Sequence, residues 1–325
     1  MEYAQLARTG LHVSQICFGT WRFGKETDGQ IETTRDEAIE LLDTAWDLGI
    51  NFIDTANSYG FGKSEEYIGA WLENHDREDI VIASKVLWAH RGTSIDPLGR
   101  TKGPIQRKGI SRKGIRAELQ GSLDRLGTDY LDIYYIHSWD ENVPVRETLS
   151  TLNDLVREGL VHSIAVSNIA SWQLMETLWQ SDVQGWERFE IVQPKFNAAV
   201  SNPGDGLLEV CADQTLAVCP YSPLHGGFLT GKYGRGQSPP QDSRGEISSW
   251  GGRFSDHEWD VLATIQRVSE DIGATPAQVA LRWLIDGPVQ TIPIVGARTP
   301  SQLEENAGAV NVSLSDQQWK GIAKP

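Results

Sequence analysis

Eight short apolar runs, each followed by a stretch that reads as helix, constrain this chain more than any other feature. The runs are Ile16–Gly19, Asn51–Asp54, Ile80–Lys85, Leu131–His137, Ile164–Ser167, Ile191–Pro194, Ala217–Tyr221 and Gln290–Ile294. They are β-branched or aromatic and apolar at nearly every position. A strand with one wet face alternates apolar and polar residues; a strand buried on both faces does not. The helices between them carry their own signals. Thr34-Arg35-Asp36-Glu37 is a capping box, Ala38, Leu41, Leu42 and Ala45 follow on one face, and Gly49 stops the helix. Val145–Glu158 repeats the scheme with Leu149, Leu152 and Leu155 before Gly159. Ser111–Leu126 and Trp172–Trp179 fit the same role, and Thr275-Pro276 and Thr299-Pro300 each set a cap before a first-turn proline.

Two α/β architectures bury strands in this way. A doubly wound sheet wants a glycine-rich turn after its first strand, and Gly19-Thr20-Trp21 is no such turn. Eight strands in 325 residues instead suit a (β/α)8 barrel, which takes about 250 residues plus insertions. The expected fold is therefore a TIM barrel forming one domain over residues 1–325. A β-hairpin over Leu6 to Val13, turning at Thr9-Gly10, precedes it. Two long loops, Leu87–Ile110 and Ser222–Asp256, lie at the C-terminal face, and long loops in compact domains usually carry function.

Charge narrows the partners. With 29 Lys+Arg against 44 Asp+Glu the net charge is −15, which opposes nucleic acid and anionic lipid surfaces. MEYAQLARTG lacks the basic start and apolar core of a signal peptide, and three sparse cysteines, Cys17, Cys211 and Cys219, are no disulfide framework. A cytoplasmic protein is the simplest expectation. Residues 60–65, GFGKSE, lack the third glycine of a dinucleotide loop, and residues 226–232 are followed by Tyr233 where a phosphate loop needs Ser or Thr for magnesium. The histidines have no metal-ligand spacing, so no metal is expected.

Barrel chemistry sits where strands end. Asp54 ends the second run, Tyr59 follows in its loop, Lys85 ends the third run and His137 the fourth. Each alone has a plainer reading: a turn cap, a packed aromatic, a solvated strand end, a core histidine. Together they suit proton delivery to a carbonyl. A lysine beside the tyrosine is expected to lower its pKa, with the carboxylate holding the lysine in place.

The wider pattern resembles the aldo-keto reductase family nearly end to end. It rests on Ile53-Asp54-Thr55-Ala56-Asn57-Ser58-Tyr59-Gly60, the strand leading to Lys85, Leu131-Asp132-Ile133-Tyr134-Tyr135-Ile136-His137, Val166-Ser167-Asn168, Val192-Gln193-Pro194, Tyr221-Ser222-Pro223-Leu224 and Gly296-Ala297-Arg298-Thr299-Pro300. The likeness is to bacterial and archaeal branches and to potassium-channel β-subunits. It implies Tyr59 as general acid, tuned by Lys85 and Asp54, with His137 orienting the carbonyl. It also implies NADP(H), or less well NAD(H), held by Gly19, Thr20, Trp21, Asp54, Ser167, Asn168, Gln193 and Tyr221 around the nicotinamide. Ser222, Leu224 and Lys232 would line the pyrophosphate, and Arg244, Gly296, Arg298, Gln302, Glu305 and Asn306 the adenosine end. A helix starting at Thr299-Pro300 beside Arg298 is physically apt for a phosphate. Ala297 and Gln302 depart from the commoner Ser and Arg, and Ser138-Trp139-Asp140 departs after His137, which loosens any inherited substrate preference.

Trp21, Trp88 and Trp139 follow the first, third and fourth runs and are read as an aromatic substrate wall. Arg91, Arg100, Lys102, Arg107, Lys108, Arg112, Lys113 and Arg116 cluster with only Asp96 opposing them, as a solvated face or a dock for an anionic substrate. The expected function is reduction of aldehyde, ketone or sugar carbonyls. The alternative is a cofactor-binding regulatory subunit with little turnover; four filled rim positions and the lack of a long N-terminal extension favour the enzyme.

Overall fold

The computed structural model describes residues 1–27, 29–87, 109–240, 243 and 254–323, together with the backbone at 94–95 and 101–102. Eight parallel strands form one sheet: β1 (Cys17–Gly19), β2 (Phe52–Asp54), β3 (Val81–Val86), β4 (Leu131–Ile136), β5 (Val161–Ser167), β6 (Phe189–Gln193), β7 (Ala217–Val218) and β8 (Ile294–Val295). Their spatial order follows the chain from β1 to β7, and β8 returns to pair with β1. The edges β7 and β8 meet at a parallel bridge between Val218 and Thr291. Val218 donates to the Gln290 carbonyl at 2.8 Å and accepts from Ile292 at 2.9 Å. The sheet is thereby closed into the expected barrel.

Ten helices wrap it among the described residues: α1 (Arg35–Asp47), α2 (Lys63–Leu72), α3 (Arg112–Leu126), α4 (Val145–Arg157), α5 (Ser171–Gln184), α6 (Leu207–Gln214), α7 (Asp256–Ile272), α8 (Pro276–Ile285), α9 (Pro300–Ala307) and α10 (Asp316–Ile322). The Thr34 capping box forms, with Glu37 accepting from the Thr34 backbone at 2.7 Å. On α4, Leu149, Leu152 and Leu155 are all but fully buried, each contributing about 1.5–3 kcal/mol relative to exposure. The N-terminal hairpin pairs Tyr3–Gln5 with His12–Ser14, so the expected Leu6–Val13 stretch is mostly its turn.

Strand parity divides the core. Phe18, Ile53, Ile82, Tyr134, Ile136, Val166 and Val192 face the helices. Cys17, Phe52, Val81, Ala83, Ile133, Tyr135, Ala165, Ile191, Ala217 and Cys219 fill the interior, and Leu6 and Val13 of the hairpin plug its lower end. The expected double burial follows: β2, β3 and β4 are buried at every position. Of the first long loop, a short ladder pairs Ser94–Ile95 with Thr101–Lys102, and the loop's ends are joined by Gly109 donating to the Leu87 carbonyl at 2.7 Å. No helix among the described residues is long and apolar enough to cross a membrane.

Candidate active site

One further step along the inward-facing positions changes the chemistry. Asp54 follows Phe52, Lys85 follows Ala83, His137 follows Tyr135, Ser167 follows Ala165, and Gln193 follows Ile191. Because side chains alternate with a period of two, all five enter the same upper rim. Register completes the alignment: Gly19 pairs with Asp54, Lys85 with Tyr135, and Ser167 with Gln193.

The rim is tightly bonded. Lys85 Nζ donates to Asp54 Oδ1 at 2.5 Å, to the Thr55 carbonyl at 2.8 Å and to the Tyr59 hydroxyl at 3.1 Å. Its side chain is fully buried, and Asp54 is 2% exposed. Gln193 Nε2 donates to the other Asp54 oxygen at 3.0 Å. The Tyr59 and His137 rings meet edge to face, with centroids 5.9 Å apart. A three-residue left-handed run at Gly60, Phe61 and Gly62 turns the chain sharply after Tyr59. A Cβ on Gly60 would lie 2.4 Å from the Phe23 carbonyl oxygen, so only glycine fits this approach.

Protonation follows from burial and charge. Burial opposes the Lys85 charge, but Asp54 and Tyr59 outweigh it and raise the lysine above its usual value. Burial raises Asp54, with Lys85 and Gln193 pulling the other way. Tyr59 differs from the sequence expectation. Burial raises its pKa, and the downward pull of Lys85 is smaller and partly cancelled by Asp54. The hydroxyl therefore holds its proton more firmly than free tyrosine. Burial first, then Lys85, lowers His137 to about 3, so its imidazole is neutral at ordinary pH.

Beside this centre, Tyr221 donates from its hydroxyl to Asn168 Oδ1 at 3.0 Å, and the Asn168 amide donates to Ser167 Oγ and to the His137 carbonyl, both at 3.0 Å. Ser167 Oγ donates to the Gln193 carbonyl at 2.7 Å. Asn168 and Ser222 both take positive φ, 52° and 54°, which turns the chain away from the strand ends. Gly226 and Gly227 are also left-handed, and a Cβ on Gly227 would lie 2.9 Å from Lys232 Nζ, so the exposed lysine lies across bare backbone. Leu224 packs partly buried against the outer core. At the start of α9, Arg298 donates its backbone N–H to Gln302 Oε1 at 3.0 Å, and Thr299 caps the helix. Glu305 is exposed and Asn306 buried; the Glu305 carbonyl accepts from Gln278. An aromatic ring flanked by amides, with cations over glycines and at a helix start, fits a flat polar ring joined to phosphates.

Two further expected residues adjoin Asp54, Gly19 by strand pairing and Thr20 by a hydrogen bond. Thr20 is fully buried, its hydroxyl taken by the Asp54 carbonyl at 3.0 Å and Ser64 at 2.8 Å. Gly19 lines the barrel, where a Cβ would meet Ile294 at 2.6 Å, and Gly296 is exposed. Trp21 stacks under Lys25 Nζ, 3.6 Å from its ring centre, and Trp139 packs against the core. Trp88, Arg91, Arg100, Arg107, Lys108 and Arg244, and the Lys102 side chain, lie outside the described residues. Two arginines at the described end of the basic cluster are ion-paired: Arg112 with Asp154 at 2.9 Å and Arg116 with Glu158 at 2.6 Å.

Three contributors escaped the sequence reading. The Thr55 carbonyl, Gly24 packed on Lys63, and the buried Asn57–Glu118 hydrogen bond of 2.9 Å all hold the Tyr59 loop. Two adjacent features were readable: the glycine after Tyr59 and a lone acid among the apolar positions of α3.

Residues 15–324 match the sequence model of the Aldo/keto reductase family. YrpG of Bacillus subtilis, an uncharacterised oxidoreductase, is 34% identical over 325 residues, spanning 98% of this chain and 93% of YrpG. The NADH-specific methylglyoxal reductase of Escherichia coli is 30% identical, spanning 97% and 95% of the two chains. The crystal structure of the thermostable aldo-keto reductase Tm1743, complexed with the inhibitor epalrestat, aligns with a TM-score of 0.76 at 30% identity over 99% of each chain. Fold and rim together define a barrel oxidoreductase acting on carbonyls. The chain belongs to the aldo/keto reductase family, whose members use nicotinamide cofactors, generally NADP(H).

Proposed function

We propose that the chain, as a single barrel domain over residues 1–325, is an NADP(H)-dependent reductase of aldehyde, ketone or sugar carbonyls. Tyr59 is its proton donor. One observation carries this reading: Asp54, Lys85 and Tyr59 form an unbroken line of hydrogen bonds from the buried barrel to the rim. Lys85 is held cationic by Asp54 and donates to the Tyr59 oxygen. It therefore stabilises the phenolate that remains once the proton has gone to the substrate oxygen. The raised pKa keeps the proton on Tyr59 until then. Neutral His137, edge-on to Tyr59, orients the carbonyl by a hydrogen bond without competing as an acid.

When bound, NADP(H) supplies the hydride. Tyr221 would stack on its ring, Ser167, Asn168 and Gln193 would hold its amide, and Ser222, Leu224 and Lys232 would line its phosphates. The preference for NADP rests on Arg298 at the start of α9. The relative that is NADH-specific makes the ratio of kcat/KM with NADPH and NADH the measurement to take; a ratio below one overturns the preference.

The mechanism is tested by NADPH oxidation with a generic aldehyde. Tyr59→Phe should lower kcat about 10²–10⁴-fold, with cofactor affinity kept. Full activity in Tyr59→Phe removes the acid role. Cofactor binding without turnover in the native chain moves it to the regulatory-subunit reading.

A further inference from the structure

Four of the seven large hydrophobic side chains exposed among the described residues lie on α5. Trp172, Met175, Trp179 and Val183 are 64, 40, 63 and 60% exposed. Spacings of three and four residues keep them on one stripe. The opposite face packs on the barrel through Leu174, Thr177 and Leu178. Thus α5 has two apolar faces, of which the barrel covers one. The reaction proposed above uses neither tryptophan.

We propose that the outer face of α5 is a two-fold interface that pairs this chain with a second copy of itself. Self-complementarity is the first reason. Turned end for end about the midpoint of Thr177 and Leu178, the stripe meets its own copy: Trp172 falls opposite Val183, Met175 opposite Gln180 beside Trp179, and Trp179 opposite Glu176 beside Met175. A closed two-fold contact requires one patch to serve both sides, and antiparallel helices are its simplest form.

Electrostatics is the second reason. At a net charge of −15, copies repel over most of their surface, and anionic lipid is repelled likewise. Along the stripe the acids are engaged: Asp182 by Arg188 at 2.7 Å and Glu176 by Gln180 at 3.2 Å. Area is the third. On a scale of 150–250 Å² for a whole aromatic side chain, the exposed parts amount to about 400–500 Å² per copy. Two copies then bury about 800–1,000 Å² through the stripe alone, and the flanking residues of α5 bring the total past the roughly 1,000 Å² that a specific interface needs. Tryptophan is also the residue most enriched where such interfaces hold their affinity.

Sedimentation of the full chain over about 0.1–100 µM tests this. A dimer is expected, and Trp172→Glu with Trp179→Glu should raise its dissociation constant at least ~100-fold, with circular dichroism and turnover unchanged. Val183→Glu, at the stripe's edge, reads the same equilibrium if the double variant fails to fold. A native monomer throughout the range overturns the proposal, as does a dimer whose dissociation constant the glutamates leave unchanged. A native monomer that binds neutral phosphatidylcholine vesicles through the stripe overturns it in favour of a lipid surface.

Discussion

The barrel interior holds two layers on the same strands and the same parity, with opposite contents. The lower layer, around Phe52, Ala83, Ile133 and Ile191, is apolar and plugged by the hairpin. Two residues further along β2, β3 and β6, the upper layer holds Asp54, Lys85 and Gln193, equally buried but polar, the first two as an ion pair. Backbone geometry is shared, so the difference lies in side-chain chemistry alone. A buried ion pair rarely stabilises more than apolar residues of similar volume, because both charges lose their water. On the proposed mechanism the upper layer is present for what it does to Tyr59, and the lower layer for holding the barrel together.

That contrast can be broken from either side. The largest effect is expected for Lys85→Met, which leaves Asp54 buried without its partner. Chemical denaturation should show a loss of about 3–5 kcal/mol, and turnover should vanish. Adding Asp54→Asn should recover most of that stability and none of the activity. If the double variant stays as unstable as the single, the upper layer contributes to the fold after all.

In the lower layer, Phe52→Ala should cost about 3–5 kcal/mol through the cavity it opens, seen as a lowered Tm. Its kcat, measured well below that Tm, should stay within about threefold of the native value, since the bonds above it are untouched. A kcat collapse would join the two layers into one functional unit.

His137 gives a subtler separation. Its pKa falls from 6.5 to about 3 on folding. Between those values the unfolded chain binds a proton that the folded chain refuses. The His137 contribution is therefore full above pH 6.5 and declines as pH drops toward 3, by up to ~1.4 kcal/mol per pH unit. His137→Gln should flatten that part of the stability curve relative to the native chain. The smallest effect is expected outside the barrel, at Arg116 against Glu158. Arg116→Ala should cost under about 1 kcal/mol and leave KM for an anionic aldehyde unchanged; a raised KM would return the described end of the basic cluster to a docking role.

Much of the frame was legible because burial on both faces leaves a plain mark. The β3 and β4 runs were placed to within a residue, since Val81–Val86 and Leu131–Ile136 are mostly apolar and buried at every position. The seam was harder. The run expected at Gln290–Ile294 is split by Pro293, which has no N–H to donate. Its first part bonds to Val218, and only Ile294–Val295 continues as β8 beside β1. Pro220 shortens β7 in the same way, ending it at Val218 rather than Tyr221. Helix α2 escaped notice because Gly62, at φ 93°, replaces a polar cap, whereas α7 has an ordinary capping box at Ser255 and Glu258 and could have been read. At the rim, residue identity and placement were readable. The direction of the Tyr59 shift was not, because it depends on how completely the ring is buried.

The seam also sets a timetable. Cys17 pairs with Ile294 and Phe18 with Val295, so the first barrel strand made on the ribosome has the last as its neighbour. Until residue 295 has emerged, β1 has only β2 to bond with, and the sheet keeps two open edges. Contacts that close so long a stretch of chain form late and slowly. An unfinished chain therefore exposes the strand edges that invite aggregation. Truncation just before Pro293 should remove the barrel's closure and not merely its tail.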